Sequence, residues 1–285
     1  MNIPIALSSL LLHAAALAAP VPVANPGFEA DFAADGTFPV GDVADWPAYD
    51  PLNLLDQPGN FTGVINPTGS SFFNFDDAPE GRNAALLFLE GTIGQGPIGI
   101  RQTLDVVVTE GTTYTLTVEV GNIASGTGLP PFDSFGFYDL DGFPGYSIQL
   151  TANGEVLAED FNSLVIPEGD FRTATCSVEI GPDHPLLGVP IEIRLISLNL
   201  EDSPDDPGIE VDFDDVRLDA TPADPACNPA ELAEPFGVLD LADIGAFVDA
   251  FQAGGPGADL NGDTLIDLSD ISVFVTAFTS GCPSG

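Results

Sequence analysis

The chain has 285 residues, and its 44 Asp and Glu against five Arg and no Lys give a formal net charge of −39. This charge argues against nucleic acids and anionic membranes as partners, because both are bound largely through cationic side chains, and the absence of Lys excludes a P-loop and Schiff-base chemistry. With 44% hydrophobic and only 17% charged residues, the chain can nevertheless bury a core.

The N-terminus carries the pattern of a secretory signal peptide. Residues 5–17 form an apolar run too short to span a bilayer, and the small-x-small pattern of a cleavage site ends at Ala18. We predict a signal peptide over residues 1–18, with a buried N-terminal strand or helix as the alternative. Since no later segment has the length of a membrane span, we expect no membrane insertion. The mature protein is expected to be secreted, either extracellular or attached to a bacterial cell surface.

Residues 19–219 show the period-two alternation of β-strands. In residues 114–120, for example, Tyr114, Leu116 and Val118 share one face while Thr115 and Thr117 share the other. About eight or more short strands without a helical window predict a mainly β fold, an antiparallel β-sandwich of the jelly-roll type. A Pro-rich linker over residues 220–226 ends this domain.

Two turns within this region predict hairpins. Residues 110–113 separate two strand-like runs, and Asn153-Gly154 lies between two others with the strongest short hairpin signal of the chain. We therefore expect each pair of flanking strands to be adjacent in a sheet.

After the linker, residues 227–285 change to helical periodicity. Residues 238–256 and 265–283 agree at ten of 19 positions, which indicates an internal duplication. Each copy carries apolar residues at i, i+3, i+4 and i+7, as a helix with one buried face requires: Ile244, Phe247, Val248 and Phe251, then Ile271, Phe274, Val275 and Phe278.

An acidic loop precedes the second predicted helix. Residues 259–270 carry oxygen side chains at loop positions 1, 3, 5, 9 and 12, and position 7 offers a main-chain carbonyl. This spacing surrounds one Ca²⁺ with hard ligands, and no His or thiolate competes for a transition metal. We predict a calcium site at Asp259, Asn261, Asp263, Leu265, Asp267 and Asp270; an acidic, solvated helix cap is the alternative.

The three cysteines divide into two classes. Cys227 and Cys282 bracket the C-terminal segment, and in an oxidising compartment we expect them to form a disulfide. Cys176 shares an alternating face with Ala174 and Val178, which predicts a buried structural thiol.

The loop, the duplication and the ending Gly281-Cys282-Pro283 resemble a dockerin, more narrowly the GC-type dockerins of bacterial surface proteins. The resemblance covers residues 227–283 and implies a small α-helical module of paired half EF-hands that docks to a cohesin partner. It also implies that loop positions 10 and 11 contribute to partner recognition; these are Leu241, Ala242, Leu268 and Ser269.

The sequence departs from the dockerin pattern in both loops. Thr264 replaces the Gly that permits a positive φ at position 6 of the second loop. Projected back 27 residues, the first loop keeps Glu234, Asp240 and Asp243 as acidic ligands, and Glu231 joins them only if that loop has an extra residue. We expect one calcium site and one degenerate loop.

The N-terminal region resembles galactose-binding-like jelly rolls, including bacterial carbohydrate-binding modules. The resemblance rests on the opening Asn25-Pro26-Gly27-Phe28-Glu29 and the closing run 211–218. It implies a structural Ca²⁺ held by Glu29 and Asp214, with Asp212 or Asp215 as alternates and solvated carboxylates as the other interpretation. It also implies polysaccharide as a ligand. The aromatic side chains that would contact it are Trp46, Phe135, Tyr138 and Tyr146.

The sequence contains neither G-x-S-x-G nor H-E-x-x-H, and among 44 acids no pair identifies itself as catalytic. The sequence therefore predicts no catalytic residue. The leading hypothesis is a secreted, non-catalytic jelly roll anchored by a calcium-dependent dockerin to a cohesin-bearing scaffold. The alternatives are a polysaccharide-degrading enzyme and a structural or adhesion protein.

Overall fold

A computed structural model of the protein describes residues 18–201, 208–222, 227–233 and 238–282. The chain forms two compact units, Ala18–Ala220 and a C-terminal unit that starts at Thr221. The predicted signal peptide lies, apart from Ala18, outside the described residues. No helix in the described ranges is long and apolar enough to cross a membrane.

The first unit is built from β-strands, as the alternating sequence predicts. Their bounds are β1 Ala19–Val21, β2 Ala48–Tyr49, β3 Asn60–Ile65, β4 Ala84–Leu89, β5 Ile98–Val107, β6 Thr112–Asn122, β7 Gly126–Thr127, β8 Phe137–Tyr138, β9 Tyr146–Ala152, β10 Glu155–Phe161, β11 Asp170–Ile180, β12 Pro190–Ser197 and β13 Glu210–Pro222.

These strands form two main sheets. Sheet A has the order β11-β6-β13-β4-β3, with β1 pairing to β13, and sheet B has the order β10-β9-β12-β5-β2. Strands β7 and β8 form a separate two-stranded ribbon. Wherever the register of a strand pair is described, the pair is antiparallel, so the prediction of a mainly β, antiparallel sandwich is confirmed.

Of the two predicted hairpins, one forms. Strands β9 and β10 pair across Asn153-Gly154, both of which adopt the positive φ that a tight hairpin turn needs. The hairpin predicted at residues 110–113 is wrong, because β5 pairs within sheet B and β6 within sheet A. That turn crosses from one sheet to the other, which period two cannot reveal since both strands bury one face in the shared core.

The main core lies between the sheets. On β6, Tyr114, Leu116 and Val118 are buried in this core, while the intervening Thr115 and Thr117 are half-buried. Each large apolar side chain buried in this way contributes about 1.5–3 kcal/mol. Cys176 belongs to the same core, and burial raises the pKa of its thiol to about 12, as befits the predicted structural thiol.

A second apolar cluster covers the outer face of sheet A. It combines side chains of β3 and β4 with side chains from the loops that cross them; its buried members are Ile65, Phe72, Phe73, Ala84, Leu86, Ile123 and Leu140. Because loops with apolar side chains pack over this face, a pocket can form between the loops and the sheet.

The C-terminal unit contains two helices, α1 Leu241–Ala253 and α2 Leu268–Ser280. Asp240 and Asp267 cap them, each within a reciprocal capping box. Phe247 and Phe274 stack with ring centroids 4.2 Å apart. A disulfide joins Cys227 to Cys282, whose Cα atoms are 5.1 Å apart.

Candidate active site

A row of three residues crosses neighbouring strands of sheet A. Phe61 on β3 lies opposite Phe88 on β4, and Phe88 lies opposite Glu210 on β13. Because Val211 and Phe213 of β13 point into the main core, the alternation of the strand directs Glu210 and Asp212 to the outer face. The row therefore brings one carboxyl group next to two aromatic rings.

These residues line a cavity of about 660 Å³ on the outer face. This volume falls within the range of small-molecule sites. Its lining is mostly aromatic and aliphatic and is completed by three acids: Phe38, Pro39, Val40, Gly59, Phe61, Ile65, Phe72, Phe88, Glu90, Ile123, Phe135, Phe137, Tyr138, Asp139, Leu140, Ile209 and Glu210.

The aromatic walls pack against one another. Phe61 and Phe88 stack with centroids 4.6 Å apart and an interplanar angle of 9°. Tyr138 meets Phe38 edge-on at 5.7 Å and Phe72 at 6.0 Å. Burial raises the pKa of Tyr138, so its phenol keeps its proton. These contacts hold the rings in place and suit the cavity to a flat, apolar ligand.

Glu210 and Asp212 place two carboxyl groups side by side at this face. Their side chains are 6% and 0% exposed. Neither Asp212 oxygen has a hydrogen-bond partner among the described residues. Glu210 lines the cavity, while Asp212 is not part of the lining.

Burial makes both groups weak acids. It raises the pKa of Glu210 to about 8, although the neighbouring Asp212 carboxyl opposes the shift. Burial and the charge of the neighbouring Glu210 hold the pKa of Asp212 well above its usual range. Burial therefore favours the neutral, protonated form of Glu210 at neutral pH, a form that an exposed glutamate does not adopt there.

Asp214, the next residue on this side of β13, has a different role. It is 0% exposed, and its oxygens accept hydrogen bonds from the peptide N–H groups of Glu80 and Asp215, both at 2.7 Å. Burial raises its pKa to about 8 despite these bonds, and the charges of Glu80 and Asp215 add to the shift. Glu29 binds the same turn by accepting from the N–H groups of Arg82 and Asn83. The predicted calcium ligands Glu29 and Asp214 thus both hold residues 80–83.

The four aromatic residues predicted to bind a ligand divide into two pairs. Phe135 and Tyr138 line the cavity. Trp46 and Tyr146 are fully buried in the main core. Trp46 donates its indole N–H to the carbonyl of Asn25, and the Tyr146 hydroxyl donates to Asp160 at 2.9 Å.

In the C-terminal loop 259–270, the acidic side chains bind the main chain. Asp259 accepts from the N–H groups of Gly262, Asp263 and Thr264, and Thr264 has a φ of 68°. Asp270 accepts from Leu260, Asn261 and Asp267, and Asp267 caps α2. The amide of Asn261 donates to Asp263, and Leu265 is 62% exposed.

The described residues of the first loop show a similar set of hydrogen bonds, and this loop has one more residue than the second. Asp243 accepts from the N–H groups of Leu232, Ala233 and Asp240, matching the role of Asp270. Glu231, 28 residues before Asp259, is 3% exposed and accepts from Val238. Asp240 caps α1, and Glu234 lies outside the described residues. At the start of the helices, Leu241 and Leu268 are 82% and 79% exposed, and Ala242 and Ser269 follow them.

Within the described ranges, the structure gathers one group of three side chains spaced like metal ligands: Cys227, Glu231 and Cys282. The two cysteines are joined in the disulfide, so neither offers a thiolate. This group is therefore not a metal site.

Comparison with known proteins identifies the first unit. Residues 19–219 match the profile of the HpiC1-like family, that of HpiC1 cyclase. The chain belongs to the HpiC1-like cyclase family. No curated protein sequence matches it.

Solved structures of Stig cyclase type agree with this assignment. Fisc from Fischerella sp. TAU, in complex with (3Z)-3-(1-methyl-2-pyrrolidinylidene)-3H-indole, is 38% identical with a TM-score of 0.63, over 73% of this chain and 100% of that chain. A cyclase from Fischerella sp. TAU in complex with 4-(1H-indol-3-yl)butan-2-one is 38% identical with a TM-score of 0.62, over 72% and 99%. An apo cyclase from Fischerella sp. is 38% identical with a TM-score of 0.63, over 73% and 98%.

Membership of the HpiC1-like cyclase family corrects the functional predictions. The expectations of a carbohydrate-binding module on a dockerin, of a non-catalytic protein and of cohesin or polysaccharide partners are wrong, because the matching proteins are cyclases with small-molecule ligands. The motif at residues 25–29 forms a turn that places Phe28 in the main core, and the motif at residues 211–218 is part of β13. Such short motifs recur in sandwiches with unrelated ligands, so they do not identify the ligand of this one.

The sequence prediction missed Glu210 as a site residue and named Asp212 only as an alternate calcium ligand. A signal was present in Ile209-Glu210-Val211-Asp212-Phe213-Asp214, where acids alternate with apolar residues in a strand. Such alternation is usual for a strand with one solvated face. Here, however, loops pack over the outer face of sheet A, and the acids on that face are therefore buried.

Proposed function

We propose that the sandwich unit is a cyclase that uses Glu210 as a general acid to close a ring in an unsaturated, indole-containing small molecule. The observation that carries the proposal is the buried carboxylic acid of Glu210 in a cavity with aromatic walls. Family membership supports a cyclisation, and the indole ligands of the Fischerella cyclases support the substrate class.

The chemistry follows from these groups. The Glu210 carboxyl gives its proton to a basic atom or π bond of the substrate and becomes a carboxylate. The resulting cation is attacked by a second π bond of the same molecule, so one carbon–carbon σ bond forms at the expense of one π bond. A proton then leaves the cyclised cation and returns to Glu210. Substrate and product are isomers, and the walls exclude the water that would otherwise capture the cation.

The test compares Glu210→Gln with the wild-type chain on an indole that carries an unsaturated side chain at C3. Gln keeps the shape of Glu but has no acidic proton, so we expect the rate of ring closure to fall by about 100-fold or more. Binding of 4-(1H-indol-3-yl)butan-2-one, measured by calorimetry, should persist. Glu155→Gln, an exposed glutamate on sheet B, is the matched control and should retain activity. Full activity of Glu210→Gln would contradict the proposal.

We further propose that the protein binds Ca²⁺ at the loop 259–270. The support is its donor set of carboxylate, amide and main-chain oxygens, the ligands that Ca²⁺ prefers, together with a backbone wound around Asp259. Bound there, the ion would neutralise neighbouring carboxylates and fix the loop before α2. A second calcium at Glu29 and Asp214 stays a prediction. We also propose export from the cell, which the signal-peptide pattern and the disulfide support.

A further inference from the structure

The mouth of the cavity is acidic. Glu90 and Asp139 both belong to the lining and are exposed to solvent, whereas Glu210 lies buried. Glu90 directly follows β4, which carries Phe88, and its carboxylate lies close to Gly59, another lining residue. Asp139 directly follows β8, which carries Phe137 and Tyr138. A ligand with its ring between the aromatic walls would therefore meet two carboxylates where it reaches solvent.

In the described part of the chain, no cationic side chain belongs to the cavity lining to balance these carboxylates. Within the described residues, the lining contains no Arg or His, and the chain has no Lys. The ion pairs of the five arginines go to carboxylates outside the lining, namely Asp35, Asp170, Asp215 and Glu192, the last of which pairs with two of them. The mouth is consequently a site of uncompensated negative charge.

The aromatic walls of the cavity also favour a positively charged ligand. A cation placed over a ring face is attracted by the ring quadrupole, and this attraction strengthens where water is displaced. Phe61 and Phe88 lie on one side of the cavity, and Phe135 and Phe137, exposed at 71% and 70%, belong to its open part. Both the walls and the mouth therefore stabilise positive charge and repel a carboxylate or phosphate.

We infer that the cavity selects aromatic ligands that carry a positively charged amine, with Glu90 and Asp139 as its ion-pairing partners. The inference rests on the proposed function and goes further by assigning the charge of the preferred substrate. It also excludes substrates that bear a carboxylate or a phosphate next to the ring. Ion pairs at solvent-exposed positions are individually weak, so we expect the two together to change affinity on the order of tenfold.

The experiment uses three indoles that differ only at the end of the same side chain: 4-(1H-indol-3-yl)butan-2-amine, which is a cation, 4-(1H-indol-3-yl)butan-2-one, which is neutral, and 3-(1H-indol-3-yl)propanoate, which is an anion. Dissociation constants for the full chain are measured by calorimetry at low salt and near neutral pH. We expect the amine to bind about tenfold more tightly than the ketone, and the carboxylate to bind most weakly.

Two double variants locate the source of the preference. Glu90→Gln with Asp139→Asn removes both charges at the mouth and should bring the amine-to-ketone affinity ratio close to one. Glu155→Gln with Asp183→Asn removes two exposed charges outside the lining and should leave this ratio unchanged. A ratio that survives the first double variant would overturn the inference, because the preference would then come from the net charge of the whole chain.

The outcomes separate this inference from the proposed function. If the ketone binds and the amine shows no advantage in the wild-type chain, the charge preference is wrong and the cyclase proposal stands. If none of the three indoles binds, the indole-binding site itself is wrong.

Discussion

At the scale of single residues, the surroundings of Glu210 decide its chemistry. The side chain is one of 44 acids in a strongly negative chain, yet only 6% of it is exposed and its neighbours are Phe88 and Asp212. Burial stabilises the neutral form and leaves a proton available near neutral pH. A carboxyl group in this state resembles the raised-pKa acids by which other enzymes protonate their substrates.

This state predicts a pH dependence for activity. Glu210 must be protonated to act as an acid, and its pKa is raised to about 8, so the rate should be constant below pH 8 and fall about tenfold per pH unit above it. The measurement is the rate of ring closure as a function of pH in a chain whose fold is followed in parallel by circular dichroism. A rate that stays constant well above pH 8 would exclude Glu210 as the acid.

The same shift affects stability, with a sign that follows from proton binding. The folded state keeps the Glu210 proton up to about pH 8, whereas the unfolded state releases it near the ordinary value of 4.5. The free energy of unfolding should therefore decrease as pH rises through this window. Glu210→Gln cannot ionise, so thermal unfolding of this variant should show a smaller decrease over the same range.

At the scale of elements, the shape of the cavity depends on how closely residues 39–40 approach β3 of sheet A. Gly63 on β3 lies under Pro39 and forms a bridge with Val40, and both of these residues line the cavity. A Cβ atom at position 63 would lie 2.4 Å from the carbonyl oxygen of Pro39, a contact that only a shift of the backbone can relieve. Glycine is therefore required here by the close approach of two backbones.

We predict that Gly63→Ala destabilises the sandwich by about 1–3 kcal/mol and weakens the binding of 4-(1H-indol-3-yl)butan-2-one, because the added methyl group pushes the wall at residues 39–40 outward. Denaturant unfolding and calorimetry measure the two effects. Gly181→Ala is the matched control, since a Cβ atom there meets nothing within 4 Å. If Gly63→Ala and Gly181→Ala have the same stability and the same affinity for the ketone, the close contact between Gly63 and Pro39 does not hold residues 39–40 in place.

Elements that depend on neighbouring residues were predicted correctly from the sequence. The alternation in β6 and the Asn153-Gly154 turn are local signals, and both gave correct elements. The turn at residues 110–113 gave the wrong pairing, because the choice of partner for β5 depends on β12, far away in the sequence. The site depends on the same distant pairings, since Phe61, Phe88 and Glu210 meet only when β3, β4 and β13 align.

At the scale of the whole molecule, the chain contains a unit built from β-strands and a unit with two helices. The sandwich buries a large core between two sheets, whereas the C-terminal unit has a small core of Ala230, Phe247, Ala258 and Phe274 and is closed by the disulfide. Small cores of this kind gain much of their stability from covalent or metal links. The net charge of −39 adds repulsion that a divalent cation would relieve.

We predict that Ca²⁺ binds the full chain and protects the C-terminal unit from proteolysis. Titration calorimetry with Ca²⁺ alone should give a saturable heat that disappears in Asp259→Asn with Asp263→Asn, substitutions that keep a side-chain oxygen but remove the charges. The variant Glu155→Gln with Asp183→Asn removes the same number of charges from exposed positions and should bind as the wild type does. Saturable binding that survives in the loop variant but is lost in Asp214→Asn would move the site to Glu29 and Asp214.

The sequence by itself determined the antiparallel β character of residues 19–219, the two helices after it and the burial of Cys176, because each follows from the periodicity of nearby residues. The function predicted from the sequence was wrong, because short framework motifs recur in sandwiches with unrelated ligands. Only the tertiary structure decided that Glu210 and Asp212 lie under a cover of loops beside stacked rings. Burial and charge are properties of the three-dimensional surroundings of a group, and these surroundings set whether an acid is a solvated charge or a proton donor.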